Sequence, residues 1–228
     1  SMSIRIKQNP EEVVDLVFEA ILKNRLKPGV KLSEISFQEE FGYSRSVVRQ
    51  GFDKLVDSGL LIYKKNQGVS VAYPTEDETK KIYEARMAIE GSVINILVEK
   101  HQQNELDFSV IDSLILKEKG HHEAKEFDEL IGISCHFHMS LAELCGNKFI
   151  VNSLKPLIPL STLAATVYSD PNSSFCSFAE HYELIDAVKS NDLKKASKSM
   201  SRHLEHCVES LDFSNKVIKN NSHSHIFN

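Results

Sequence analysis

A chain of 228 residues, 41% of them hydrophobic, has room for one large domain or two small ones with real cores. No apolar run approaches the ~20 residues of a membrane span and no signal peptide is visible, so the expectation is a soluble, cytoplasmic protein. A net charge of −5 looks wrong for a polyanion binder, but residues 1–74 hold 11 Lys and Arg against 9 Asp and Glu, whereas the remainder holds 16 against 23. The acidity belongs to the second part of the chain. Four cysteines (Cys135, Cys145, Cys176, Cys207) are scattered without a C-x-x-C pair and read as reduced, mostly buried thiols. Ser1 ahead of Met2 reads as a cloning remnant.

In chain order, Val13, Val14, Leu16, Val17, Ile21 and Leu22 fit an amphipathic helix that begins near Pro10 and ends before the Lys27-Pro28-Gly29 turn. Ser33 caps a short helix carrying Ile35, Phe37 and Phe41, Gly42 ends it, and Ser44 starts the next helix after a tight turn. On that third helix Arg45 and Arg49 share one face, and Val48, Phe52 and Leu55 form an adjoining apolar stripe. Leu60–Tyr63 and Val69–Ala72 flank Lys64-Lys65-Asn66-Gln67-Gly68, which reads as a hairpin with Gly68 in an awkward turn conformation. The unit is a winged helix-turn-helix of three helices and a small β-hairpin.

Arginine suits such a helix because its planar fork reaches guanine O6 and N7 bidentately, or clamps a phosphate. Ser44 and Ser46 hydroxyls suit phosphate oxygens, and Lys64, Lys65 and Gly68 at the wing suit phosphate or minor-groove contacts. An isolated Arg pair is more often a solvated helix face; the surrounding frame turns this pair toward double-stranded DNA.

Pro74-Thr75-Glu76-Asp77 marks a boundary, with Thr75 capping and Glu78 three residues on. Beyond it the pattern is helical: Ile82 to Leu97, Phe108 to Ile115, Phe127 to Leu144, Phe149 to Tyr168 with Pro156 and Pro159 kinking or interrupting it, Phe175 to Val188, and Leu193 to Leu211. The expectation is an all-helical bundle of about six helices over 75–214, then a disordered tail over 215–228 whose His223 and His225 are not ligands.

The first part resembles the GntR superfamily of bacterial regulators, through Leu26-Lys27-Pro28-Gly29-Val30-Lys31-Leu32-Ser33-Glu34 and Ser44-Arg45-Ser46-Val47-Val48-Arg49. It departs in Val47, where Pro is usual, and in Gln50-Gly51, where Glu-Ala is usual; a mid-helix Gly costs up to ~1 kcal/mol relative to Ala, so a less rigid helix is expected.

The second part resembles the FCD domain of the FadR-like subfamily, through Glu84-Ala85-Arg86 with Glu90, Phe137-His138, Gly146-Asn147, Glu180-His181 with Ala187 and Asp192, and Arg202-His203-Leu204. The resemblance implies a ligand-binding and dimerisation domain in which His138, His181 and His203 ligate a divalent metal such as Zn or Ni. It also implies an aspartate one turn before the first histidine, where this chain has Ser134; losing that charged ligand weakens the metal. Cys207, one turn beyond His203, is the better substitute ligand, since His136 points to another side of its helix. Arg86 reads either as a bidentate clamp on an effector carboxylate or as an i,i+4 partner of Glu90.

The leading expectation is a homodimeric transcription regulator on a palindromic operator, whose DNA affinity changes when a small acid or anion enters the helical domain. Three others stand beside it: a metal-independent regulator responding to an acyl thioester, a pure metal sensor, and a metalloenzyme built on the three histidines. No general base is placed beside the histidines by the sequence, because Glu180, adjacent to His181, should face differently.

Overall fold

The computed structural model describes residues 8–104, 106–170 and 178–214, and its packing divides the chain into two compact units that part between Tyr73 and Pro74. The tail from 215, with His223 and His225, lies outside the described residues, as do Cys176 and the expected helix start at Phe175.

The first unit runs α1 (Pro10–Leu22), β1 (Lys31–Leu32), α2 (Glu34–Phe41), α3 (Arg45–Asp57), β2 (Leu61–Lys64) and β3 (Gly68–Val71). Each helix starts where its cap residue directs. The Asn9 side chain accepts from the Glu11 N–H, that of Ser33 from Ser36, and that of Ser44 from Val47. Gly42 closes α2 in the left-handed conformation, with φ of 73°. Val13, Val17, Ile21, Phe37, Val48, Phe52, Leu55, Leu61 and Val71 make the core. Each such side chain contributes ~1.5–3 kcal/mol by leaving water. Of the apolar residues on α2, Phe37 is buried and Ile35 is exposed.

The sheet has three antiparallel strands in the order β1-β3-β2 rather than a bare hairpin. Two residues are too few to show alternation, so β1 is invisible to a pattern search. It is fixed by the Gly29 N–H donating to the Val71 carbonyl at 2.9 Å and the Val71 N–H to that of Val30 at 2.8 Å. At the wing, Lys64 pairs with Gly68, and Asn66 and Gly68 take φ of 64° and 76° to turn the chain.

Gly51 corrects the expectation of a loosened helix. It is buried where α3 crosses α1, and a Cβ there would lie 2.6 Å from both Cβ and Cγ1 of Val13 and 3.1 Å from the Pro10 carbonyl oxygen. The glycine admits a close helix approach that alanine blocks.

The second unit holds seven helices among the described residues: α4 (Glu76–Gln103), α5 (Ser109–Glu123), α6 (Asp128–Leu144), α7 (Lys148–Leu154), α8 (Leu157–Tyr168), α9 (Phe178–Lys189) and α10 (Leu193–Glu209). One more than expected arises because Pro156 ends α7, while Pro159 sits in the first turn of α8, where a missing N–H leaves no bond unmade. α4, 28 residues long and capped by Thr75, packs against α6, α7, α8, α9 and α10 and organises the bundle.

Lys148–Tyr168 is long and apolar enough to cross a membrane by length and composition, a stretch the expectation of no such run missed. Here it is bent into α7 and α8, with Leu154, Ile158, Leu163, Ala164 and Val167 buried in the bundle.

Candidate functional site: an arginine-bearing helix and a buried histidine centre

In the first unit, Ser44, Arg45, Ser46 and Arg49 all lie exposed at the N-terminal end of α3, while Val48, Phe52 and Leu55 of the same helix are buried. The α3 N-terminus therefore carries two guanidinium groups on a face free of the core, and unpaired helix N–H groups favour anions there. Arg49 Nε is 3.7 Å from Glu34 Oε2, with 57% of the Arg49 side chain still exposed, so this surface pair holds the arginine only loosely. Ser46 Oγ accepts from Gln50 Nε2 at 3.0 Å. Lys64, Lys65 and Gly68 are exposed at the tip of the β2–β3 hairpin.

One contributor was missed by sequence reasoning. Gln8 accepts from the Ser44 N–H at 2.7 Å and donates from Nε2 to the Gly42 carbonyl at 2.9 Å, clamping both ends of the turn between α2 and α3. A lone Gln ahead of a helix carries no sequence signal for this.

In the second unit, His138 on α6, His181 on α9 and His203 on α10 are all buried, and their ligand atoms lie within 4.8 Å of one another. His138 Nε2 is 3.0 Å from His203 Nε2, and His181 Nε2 is 3.2 Å from it. Zn–N bonds of ~2.0–2.1 Å opened by tetrahedral or octahedral angles leave ligating nitrogens ~3.0–3.4 Å apart. Both spacings fit neighbouring corners of a coordination shell.

Behind each ring stands a carboxylate. His138 Nδ1 bonds to Glu90 Oε1, His181 Nδ1 is 2.9 Å from both oxygens of Glu118, and His203 Nδ1 is 3.6 Å from Glu180 Oε2, just beyond hydrogen-bond length. A Nδ1–H given to a carboxylate leaves Nε2 with its lone pair, the tautomer that ligates a metal. The His138 and His181 lone pairs both face His203 Nε2, which either carries the proton they share or leaves them to a cation. His203 Nδ1 is a buried atom without a hydrogen-bond partner among the described residues, so its ring is the least fixed. Glu180 is shared with the half-exposed His206, 3.1 Å away; His203 lowers its carboxyl pKa, partial burial opposes this, and His206 adds to the lowering. The expectation that Glu180 faces away from the histidines is thereby corrected: it backs His203 from the adjacent helix.

Arg86 Nε donates to Glu90 Oε2 at 2.9 Å, with both side chains buried, so the i,i+4 pair is formed. Burial opposes the charge on Glu90, yet Arg86 and His138 hold its carboxyl down at about 2, and Glu90 in turn keeps Arg86 above its ordinary value against its own burial. Burial pushes His138 down to about 3 with Glu90 only partly offsetting it, which keeps the imidazole neutral and able to ligate.

The centre opens on a cavity of about 130 Å³, lined among others by Arg86, Ser134, His138, Ser161, His203 and Cys207. Arg86 thus faces the space as well as Glu90. Ser134 faces it too, one turn before His138, and carries no charge. Cys207 lines it but is not among the gathered ligand atoms, so the substitute ligand that helical spacing suggested does not complete the shell. His136 is exposed, as its position on the helix required.

Residues 81–206 match the family described as "FCD domain", and residues 9–71 match "Bacterial regulatory proteins, gntR family". The chain is 24% identical to the uncharacterised HTH-type transcriptional regulator YdhC of Bacillus subtilis over 193 residues, 84% of this chain and 85% of the relative. It is 27% identical to the gluconate operon transcriptional repressor of Bacillus licheniformis over 194 residues, 81% of this chain and 77% of the relative. A solved GntR regulator from Rhodococcus sp. shares the fold with a TM-score of 0.74 at 21% identity, covering 88% of this chain and 95% of that one. The chain belongs to the gntR family of bacterial regulatory proteins, with an FCD domain as its second unit, and is a DNA-binding transcription regulator rather than an enzyme.

Proposed function

We propose that this regulator is a homodimer that binds a palindromic operator and changes its DNA affinity when a small organic acid enters the FCD domain beside a divalent metal. Ser44, Arg45, Ser46 and Arg49 at the exposed end of α3 contact bases and phosphates, and Lys64, Lys65 and Gly68 at the wing contact the backbone or minor groove. Such a protein works where the chromosome is, in the cytoplasm.

The observation that carries the reading of the second unit is the approach of the His138 and His181 Nε2 atoms to that of His203 at 3.0 and 3.2 Å, beside a cavity lined by His138, His203 and Arg86. His138, His181 and His203 hold the ion, Zn or Ni, on one side. The other side faces the cavity, where water or an effector carboxylate completes the shell. Bound there, the ion supplies a positive charge that recruits oxygen ligands. Arg86, although paired through Nε with Glu90, lines the same cavity, and the rest of its fork orients a carboxylate. The gluconate operon repressor among the relatives supports a sugar acid as the effector class.

Metal content per protomer, measured on protein purified without chelators and without a polyhistidine tag, tests the metal. Near one equivalent of Zn or Ni is expected, and His181→Ala should abolish it. No uptake after reconstitution overturns the metal reading. Footprinting of genomic fragments tests the operator: protection of a palindromic segment is expected, and protection of none refutes the DNA assignment of α3.

A further inference from the structure

We propose that Glu118 is the positioning residue of the histidine centre: its charge, passed through the His181 ring, supplies the negative counterpart that Ser134 does not give to a bound divalent cation. The proposal rests on the metal reading above.

Glu118 projects from α5 into the bundle and is 3% exposed, among the most buried charged residues of the second unit. Both its oxygens lie 2.9 Å from His181 Nδ1, and among the described residues its ionic contact is with that ring. The other two carboxylates differ. Glu90 is neutralised by Arg86 at 2.9 Å, and the Glu180 side chain is 27% exposed and bridges to His206. Of the buried charges around the centre, Arg86 and Glu90 cancel, and Glu118 remains. A neutral imidazole N–H is a poor match for a carboxylate withdrawn from water. A cation on the opposite nitrogen of the same ring is a good one, because the ring transmits the carboxylate's charge along its Nδ1–Nε2 axis and becomes a stronger ligand.

The geometry is set for that transmission. Phe137 stacks on the His181 ring with centroids 4.1 Å apart and planes 23° from parallel, so the ring cannot turn away from Glu118 without disturbing the core. His181 Nε2 meanwhile points at His203 Nε2, 3.2 Å away, inside the cluster. Ser134 lines the cavity without charge. The negative charge a metal needs is therefore carried one residue further out, behind the His181 ring, leaving the cavity side of the ion free for an anion.

The test measures Zn²⁺ affinity of the full chain by competition with a chromophoric chelator, together with the thermal stability of the metal-free protein. Glu118→Gln keeps the size and an acceptor oxygen but removes the charge. One site per protomer should remain, with Zn²⁺ bound about 10- to 100-fold more weakly. The metal-free variant should melt no lower than wild type, because an unbalanced buried charge has gone. Glu118→Asp, which keeps the charge one methylene further back, should recover part of the affinity. Wild-type Zn²⁺ affinity in Glu118→Gln overturns the proposal and leaves the metal reading standing. A metal-free Glu118→Gln that melts lower, or does not fold, makes Glu118 a structural residue and overturns it as well. Failure of the wild type to take up Zn²⁺ overturns the metal reading and this proposal with it.

Discussion

Gly51→Ala places two effects of known size in opposition. Alanine is favoured over glycine in a helix interior by ~0.8–1 kcal/mol. Against this, the new methyl meets Val13 Cβ and Cγ1 at 2.6 Å and the Pro10 carbonyl at 3.1 Å. Val13 is fully buried, and the atoms struck include its Cβ and a backbone oxygen, neither of which can rotate aside. Relief therefore requires α1 and α3 to separate, and overpacking of this kind costs ~1–3 kcal/mol. The net expectation is a loss of about 1 kcal/mol in the first unit and at most ~2, or ~5-fold and at most ~30-fold faster exchange of the Val48, Phe52 and Leu55 amides if they open with that unit. Hydrogen exchange on the full chain reads this locally. Gly91→Ala is the matched control, since a Cβ at Gly91 in α4 meets nothing within 4 Å and should slow exchange there. Val13→Ala removes the Cγ1 collision but not the Cβ one, so Gly51→Ala should cost less in a Val13→Ala background than in the wild type. Exchange unchanged or slowed by Gly51→Ala alone would refute the close approach and restore the view of Gly51 as a simple helix weakness.

Two further outcomes follow from charges on the page. Arg49→Ala should weaken operator binding by ~1–3 kcal/mol and relax base preference at one position per half-site if the guanidinium reads guanine, whereas a phosphate role would weaken all sequences alike and lower the salt slope by about one. Competitive binding to a randomised operator pool at two salt concentrations separates these, and no change in either refutes contact. Glu90→Gln should cost ~3–5 kcal/mol by leaving the Arg86 charge buried without its partner, and Arg86→Met combined with it should restore most of that loss. Denaturation midpoints of the two single variants and the double variant measure the coupling; additive losses would refute the buried pair as one unit.

How much could be read from the sequence depends on where each determinant is encoded. Ser33, Gly42 and Ser44 act on their own helix ends through bonds spanning three or four residues, and the helix-turn-helix they delimit was legible. The three histidines were legible because each stands in a short local motif of the family it resembles. Glu118 was not: its spacing from Ile111 and Ile115 puts it on the buried face of α5, unlike the solvated Lys117 and Lys119 beside it, but only packing of α5 against α6 and α9 brings it to His181. Strand β1 and the Gln8 clamp are of the same kind, made by partners some 35 to 40 positions away. Gly51 shows the reverse error, where a local rule gave a sign that a helix crossing overrides.

The same distinction explains why the Ser134 departure weighs less in the fold than in the sequence. Along the chain, a serine in place of an aspartate removes one ligand from a local motif. In three dimensions the rings answer to carboxylates on α4, α5 and α9, none of which belongs to that motif position. An ion held by three neutral imidazoles would keep its charge toward the cavity, which Arg86 also lines, so the space would favour an anion more strongly than an aspartate-ligated centre would. By linkage, such an anion tightens the metal as much as the metal tightens the anion. Zn²⁺ affinity measured with and without gluconate as the probe should therefore rise with it, and should do so less in Arg86→Met; an affinity unmoved by gluconate would argue against a sugar acid as the ligand this space takes.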